Sequence, residues 1–158
     1  SDLIAHEISH AFDTNGASFD ENGSLNNWWT DEDYAAFKER TDKVVAQFEG
    51  IDFAGGKVNG SLTVSENVAD LGGLAAALEA AKQEADFSAE DYFRNFARIW
   101  RGKARPEFLQ LLLTTDVHAP GKLRTNVQLP NFDEFFETFD VQEGDGMWRA
   151  PQDRVVIW

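Results

Sequence analysis

Apolar residues recur at about every third to fourth position through most of this chain, and that spacing predicts a mainly α-helical fold. Thr30 is placed to cap a helix running to about Phe48, with Tyr34, Phe37, Val44, Val45 and Phe48 as its apolar stripe. A second long run continues from around Glu66 through Leu71, Leu74, Ala75 and Leu78 to about Ala81. Ser88 opens a third helix with Phe93, Phe96, Ile99 and Trp100 as core positions, stopping near Gly102. Pro106 starts another that runs through Leu113. Pro130-Asn131 leads a short acidic helix carrying Phe132, Phe135, Phe136 and Phe139. Only the stretch from Gly50 to Ser61, with Gly55-Gly56 and Asn59-Gly60, reads as a hairpin. The Gly72-Gly73 pair is poor helix chemistry, so it marks either a kink or a close approach to another helix.

His6-Glu7-Ile8-Ser9-His10 adds chemistry to this helical pattern. Residues four apart on a helix share one face, about 6 Å apart along the axis, so both imidazoles can converge on one metal ion. Glu7 is rotated about 60° from His10, which sets its carboxylate beside the metal as a base for activated water. The competing reading is two half-buried polar histidines on an amphipathic helix. Asp13 returns to the histidine face nearly two turns after His6.

A catalytic zinc takes three protein ligands and leaves one position open. The best candidate for the third ligand is Glu66, four before Asp70 on a helical run, where one carboxylate could ligate and the other buttress an imidazole. Thr63 and Glu66 equally match a capping box at a helix start. A last cluster joins His118 to Arg124 through Pro120-Gly121, with Pro120 opening a short helix. Such donors can stabilise an oxyanion, or they can be a surface histidine and an ion-paired arginine.

Composition narrows the partners. The chain has 158 residues, 42% hydrophobic and 13% aromatic, enough for one domain with a substantial core. With no cysteine, disulfides and thiolate-bound zinc are excluded. Twenty-eight acidic against 14 basic residues give a net charge of -14, which disfavours nucleic acid and anionic lipid as partners. No apolar run approaches the roughly 20 residues of a membrane span.

Taken together, His6 to Asp13, Asn15-Gly16 to Trp28-Trp29, Asn59-Gly60 leading to Glu66-Asn67-Val68-Ala69-Asp70, Arg105-Pro106-Glu107, Asp116-Val117-His118 and Arg124 resemble the neprilysin and endothelin-converting enzyme family of zinc endopeptidases. The resemblance covers essentially the whole chain and ends on Trp158. It implies a zincin of gluzincin type, a thermolysin-like catalytic lobe that is mainly α with little β structure. It also implies one Zn2+ per chain held by His6, His10 and Glu66, with Glu7 as general base and Asp70 orienting a zinc histidine. His118 and Arg124 would contact the transition state and the substrate backbone. Leu3, Ile157 and Trp158 would line a hydrophobic specificity pocket, although Asp2 stands where the family usually has an apolar residue. The layout resembling thermolysin itself is disfavoured, because there the glutamate ligand follows the second histidine much sooner.

Family members are several times longer. Residues 1–158 are therefore expected to be the C-terminal catalytic domain of a larger peptidase, with peptide substrates and an upstream lobe as its partners. A cysteine-free member of this kind is expected in a bacterial cytoplasm. The alternative is a zinc-stabilised module that binds peptides or a partner without cutting them.

Overall fold

The computed structural model describes residues 2–158. Seven α-helices dominate the described residues: α1 (Asp2–Ser9), α2 (Asp31–Phe48), α3 (Gly60–Ala81), α4 (Ala89–Ile99), α5 (Pro106–Thr115), α6 (Gly121–Asn126) and α7 (Asp133–Phe139). Between α2 and α3 lies one antiparallel hairpin, β1 (Asp52–Phe53) and β2 (Gly56–Lys57), in which Asp52 pairs with Lys57. The mainly α fold with little β structure is thus as expected, and the hairpin falls within the glycine-rich stretch that predicts it.

Local chemistry explains the helix starts. Thr30 and Ser88 accept from the backbone N–H groups of Asp33 and Asp91, as N-caps do. α3 begins earlier than Thr63: Asn59 is its cap, accepting from Leu62 N–H, so Thr63 and Glu66 already lie inside the helix. That removes the capping-box reading of Glu66. Pro120 is the residue before α6, one position earlier than expected.

Helix α3 is the spine of the molecule. Its middle, from Asn67 to Leu74, is buried without interruption, because α1 and α2 both pack along it. One apolar cluster gathers Phe37, Val44 and Phe48 of α2 with Val68 and Leu71 of α3 and with Val155 and Ile157 of the C-terminal segment. A second joins Leu74 and Leu78 of α3 to Phe93 and Phe96 of α4 and Phe135 and Phe136 of α7. Tyr34 and Ile99, expected in the core, are exposed at 53% and 64%.

Gly72-Gly73 serves the close approach. A Cβ on Gly73 would stand 2.6 Å from the His6 backbone nitrogen, and one on Gly72 would stand 2.8 Å from Ser9 Oγ. The pair therefore brings α1 against α3 at the turn that carries the histidine motif. Gly73→Ala is expected to force the helices apart and cost about 1–3 kcal/mol, as overpacking does. Thermal unfolding of the metal-free protein would show this as a lowered Tm, and an unchanged Tm would refute the tight contact.

Candidate metal centre

α1 carries His6 on its buried face, and His10 begins a 3-10 turn (His10–Phe12) that continues it. α3 delivers Glu66 and Asp70, one turn apart, to the opposite wall. His6 Nε2 lies 3.1 Å from His10 Nε2 and 3.3 Å from Glu66 Oε2, and His10 Nε2 lies 3.6 Å from the same oxygen. Bonds of about 2.0–2.1 Å arranged tetrahedrally around zinc separate neighbouring ligand atoms by roughly 3.4 Å. The three donors are already spaced for one ion.

The carboxylates behind the two rings fit the same arrangement. Each histidine presents its other nitrogen to a carboxylate: His6 Nδ1 is 2.8 Å from Asp70 Oδ1, and His10 Nδ1 is 2.6 Å from Asp13 Oδ2. The His6 contact is close but out of line for a well-formed hydrogen bond. Both Nε2 atoms and a carboxylate oxygen face one point, and a proton on Nδ1 of each ring would leave both Nε2 lone pairs free for a metal. Glu66 Oε2 is buried there without a hydrogen-bond partner. A cation relieves that arrangement. The Asp70 carboxylate raises the His6 pKa above its ordinary value of 6.5, against the opposing effect of burial.

Asp70 and Arg124 form a buried bidentate pair, with Arg124 Nε and Nη2 donating to the two carboxylate oxygens at 2.8 and 2.6 Å. The guanidinium carbon also stacks 3.7 Å over the Trp100 ring. Arg124 is thereby fixed, and Asp70 leaves its Nη1 unused. His118 reaches the cluster from the loop before α6, its Nε2 lying 3.1 Å from Glu66 Oε2. Asp116 Oδ1 accepts from the His118 backbone N–H and lies 2.7 Å from Nδ1. Burial pushes the Asp116 carboxyl up, but these contacts with His118 hold it below the usual range. Glu7 is exposed and outside the ligand set.

The remaining expected residues are more dispersed. Ile157 is 3% exposed within the first core, and its carbonyl accepts from Arg40 Nη1. Trp158 stacks on Phe37 at 5.5 Å between ring centres, and the two C-terminal residues border a cleft of about 550 Å³. Leu3 is 66% exposed and does not line that cleft. Asp2 has one buried carboxylate oxygen without a partner, and burial, with the Asp70 charge next in size, pushes its pKa up to about 6.

Asp13 has a larger part than its spacing alone showed. It is 3% exposed and fully engaged, accepting from Asn15 and Gly16 N–H at Oδ1 and from Ser65 Oγ at Oδ2. It ties His10 to α3 one residue before Glu66. The acid three residues after His10 was its sequence signal; Ser65 carried none.

An α-helical scaffold holding two histidines of an HExxH motif and a distant glutamate around one point defines a gluzincin-type centre. The chain belongs to Peptidase family M13, which it matches over residues 2–155. It is 56% identical over 156 residues to the neutral endopeptidase of Lactococcus lactis subsp. lactis (strain IL1403), covering 99% of this chain and 25% of that protein. It is 36% identical over 172 residues to neprilysin of Homo sapiens, covering 99% and 23%. The zinc metalloprotease Zmp1 of Mycobacterium tuberculosis, solved with an inhibitor, superposes with a TM-score of 0.90 at 34% identity, covering 99% of this chain and 26% of that one. The resemblance read from the motifs is borne out, and zinc is the cofactor that goes with it. The chain spans about a quarter of the length of these relatives. No helix among the described residues is long and apolar enough to cross a membrane.

Proposed function

We propose that this chain is the C-terminal catalytic domain of a zinc endopeptidase that hydrolyses oligopeptides. The observation that carries the reading is the convergence of His6 Nε2, His10 Nε2 and the unpartnered Glu66 Oε2 on one point. Bound zinc supplies Lewis acidity there, acidifying water and polarising the scissile carbonyl.

Around that centre the side chains divide the work. Glu7 accepts the proton of the attacking water and returns it to the departing amine nitrogen. His118 donates through Nε2 to the carbonyl oxygen as negative charge builds on it, held in place by Asp116. Arg124, clamped by Asp70, offers Nη1 to the substrate backbone. Asp70 and Asp13 keep the protons of His6 and His10 on Nδ1, so both Nε2 lone pairs stay available. Leu3 and Trp158 offer exposed apolar surface for a substrate side chain, with Ile157 supporting it from the buried core, and the upstream part of the protein closes over it. The cysteine-free composition and the bacterial relatives support a bacterial, cytoplasmic setting.

Chelator treatment of the full-length protein should abolish cleavage of a fluorogenic oligopeptide, and about one zinc per chain should restore it. Zinc affinity should weaken as the pH falls through the raised His6 pKa, because the proton competes for the ligand. Zinc-loaded protein that binds peptides but leaves them intact would favour the non-catalytic module instead.

A further inference from the structure

A cleft of about 930 Å³ opens between the segment after α4, the face of α5 and the start of α6. It is continuous with the metal centre, since His118 and Arg124 line it and His118 Nε2 lies 3.1 Å from Glu66 Oε2. Trp100 and the buried, Asp70-paired Arg124 line it, and so do three exposed cations, Arg101, Lys103 and Lys122, against Asp116 as the one carboxylate among the lining residues.

This concentration runs against the rest of the surface. The chain has twice as many acidic as basic residues, 28 to 14, and half of its lysines and arginines pair with an acid. The lysine and arginine ion pairs of the described residues lie elsewhere or, for Arg124, inside the pair with Asp70. Arg101, Lys103 and Lys122 are exposed and pair with no carboxylate among the described residues. Asp116 is engaged by His118 and forms no ion pair with them. Three unpaired cations at one mouth repel one another unless an anion joins them. At physiological salt a field decays over about 8 Å, so this local charge, and not the distant excess of acid, is what a bound peptide meets.

We propose that this cleft is a subsite for a peptide carboxylate, holding either an acidic side chain or the free C-terminus of a substrate whose backbone passes His118 and Arg124. The proposal rests on the peptidase reading and gives that site a substrate class: acidic peptides, despite the chain's net charge of -14.

The test uses the zinc-loaded full-length protein and four peptides sharing one scissile bond. One has glutamate and a free C-terminus, one glutamine in its place, one an amidated C-terminus, and one both changes. The carboxylate that the cleft reads should improve kcat/KM about tenfold at low salt, mostly through KM, with the gain fading at high salt. The glutamine and amide arms separate side chain from terminus. Arg101→Glu/Lys103→Glu/Lys122→Glu should erase the preference while cleavage of the doubly neutral peptide stays within about twofold. Lys122→Ala alone should reduce it in part. A preference that survives the triple reversal overturns the proposal. So does a wild type with no preference whose triple variant has a lowered Tm, since the upstream part of the chain then fills the cleft. Quenching of tryptophan fluorescence by triglutamate against triglutamine reads the cleft without catalysis. If no peptide is cut, selective triglutamate binding lost in the triple variant keeps the subsite and removes the peptidase, whereas equal binding of both removes the subsite.

Discussion

Glu7→Gln in the full-length protein should leave about one zinc per chain and lower peptide turnover by about 10²-fold to 10⁴-fold. The first half follows from the geometry: Glu7 is exposed and stands outside the group of ligand atoms that converge on one point. Gln preserves shape and hydrogen bonding but has no basic oxygen to take a proton from water. On the transition-state scale of 1.36 kcal/mol per decade, the loss corresponds to roughly 3–5 kcal/mol. The effect should lie in kcat more than in KM, because proton transfer belongs to the transition state and not to peptide binding. Elemental analysis and steady-state kinetics on the same preparation decide it. Turnover equal to the wild type would take Glu7 out of the mechanism, and loss of zinc would mean that Glu7 supports the ligands after all.

How far the sequence alone led differs between the centre's two layers. The histidine pair was legible because His6 and His10 obey helical spacing, whereas Glu66, four before Asp70, equally matched a capping box and was assigned as the third ligand through the resemblance. The convergence of the two pairs was not a matter of spacing, since it depends on α1 lying against α3, and the glycine pair that permits it could equally have been a kink. Asp13 showed the same limit. Its return to the histidine face was visible, but its role as the fixed partner of His10 required Asn15, Gly16 and Ser65, whose contacts arise from loop geometry. Arg124 was readable either as a surface ion pair or as a substrate contact. It is ion-paired yet buried, with one nitrogen left over, and sequence patterns separate those alternatives poorly. The basic cleft was invisible for a simpler reason: Arg101 and Lys103 are separated from Lys122 by the whole of α5, and only tertiary packing places them at one mouth.

Asp70→Asn should have the largest combined effect of any single change, because Asp70 serves two partners at once. Its carboxylate lies against His6 Nδ1 and accepts both hydrogen bonds from Arg124, all three residues being buried. The amide keeps the shape but removes the charge, leaving the guanidinium desolvated and uncompensated. Breaking one side of such a pair costs about 3–5 kcal/mol, read as a lower denaturation midpoint of the metal-free protein. Loss of the carboxylate behind a ligating imidazole should also weaken zinc by about 10-fold to 100-fold, read by competition with a chromophoric chelator. The two losses can be separated. Arg124→Met added to Asp70→Asn replaces the buried pair with neutral groups, so stability should recover beyond the sum of the single changes while zinc affinity stays low. The pH dependence gives an independent check. In the metal-free wild type the raised His6 pKa contributes stability that is full below about 6.5, the unfolded value, and is lost as pH rises through the folded value. Asp70→Asn removes the principal cause of that shift, so its stability should no longer decline over that window on account of His6. A variant with wild-type zinc affinity and an unchanged pH profile would show that Asp70 anchors Arg124 alone, and that His6 finds its orientation from the packing of α1 against Gly73.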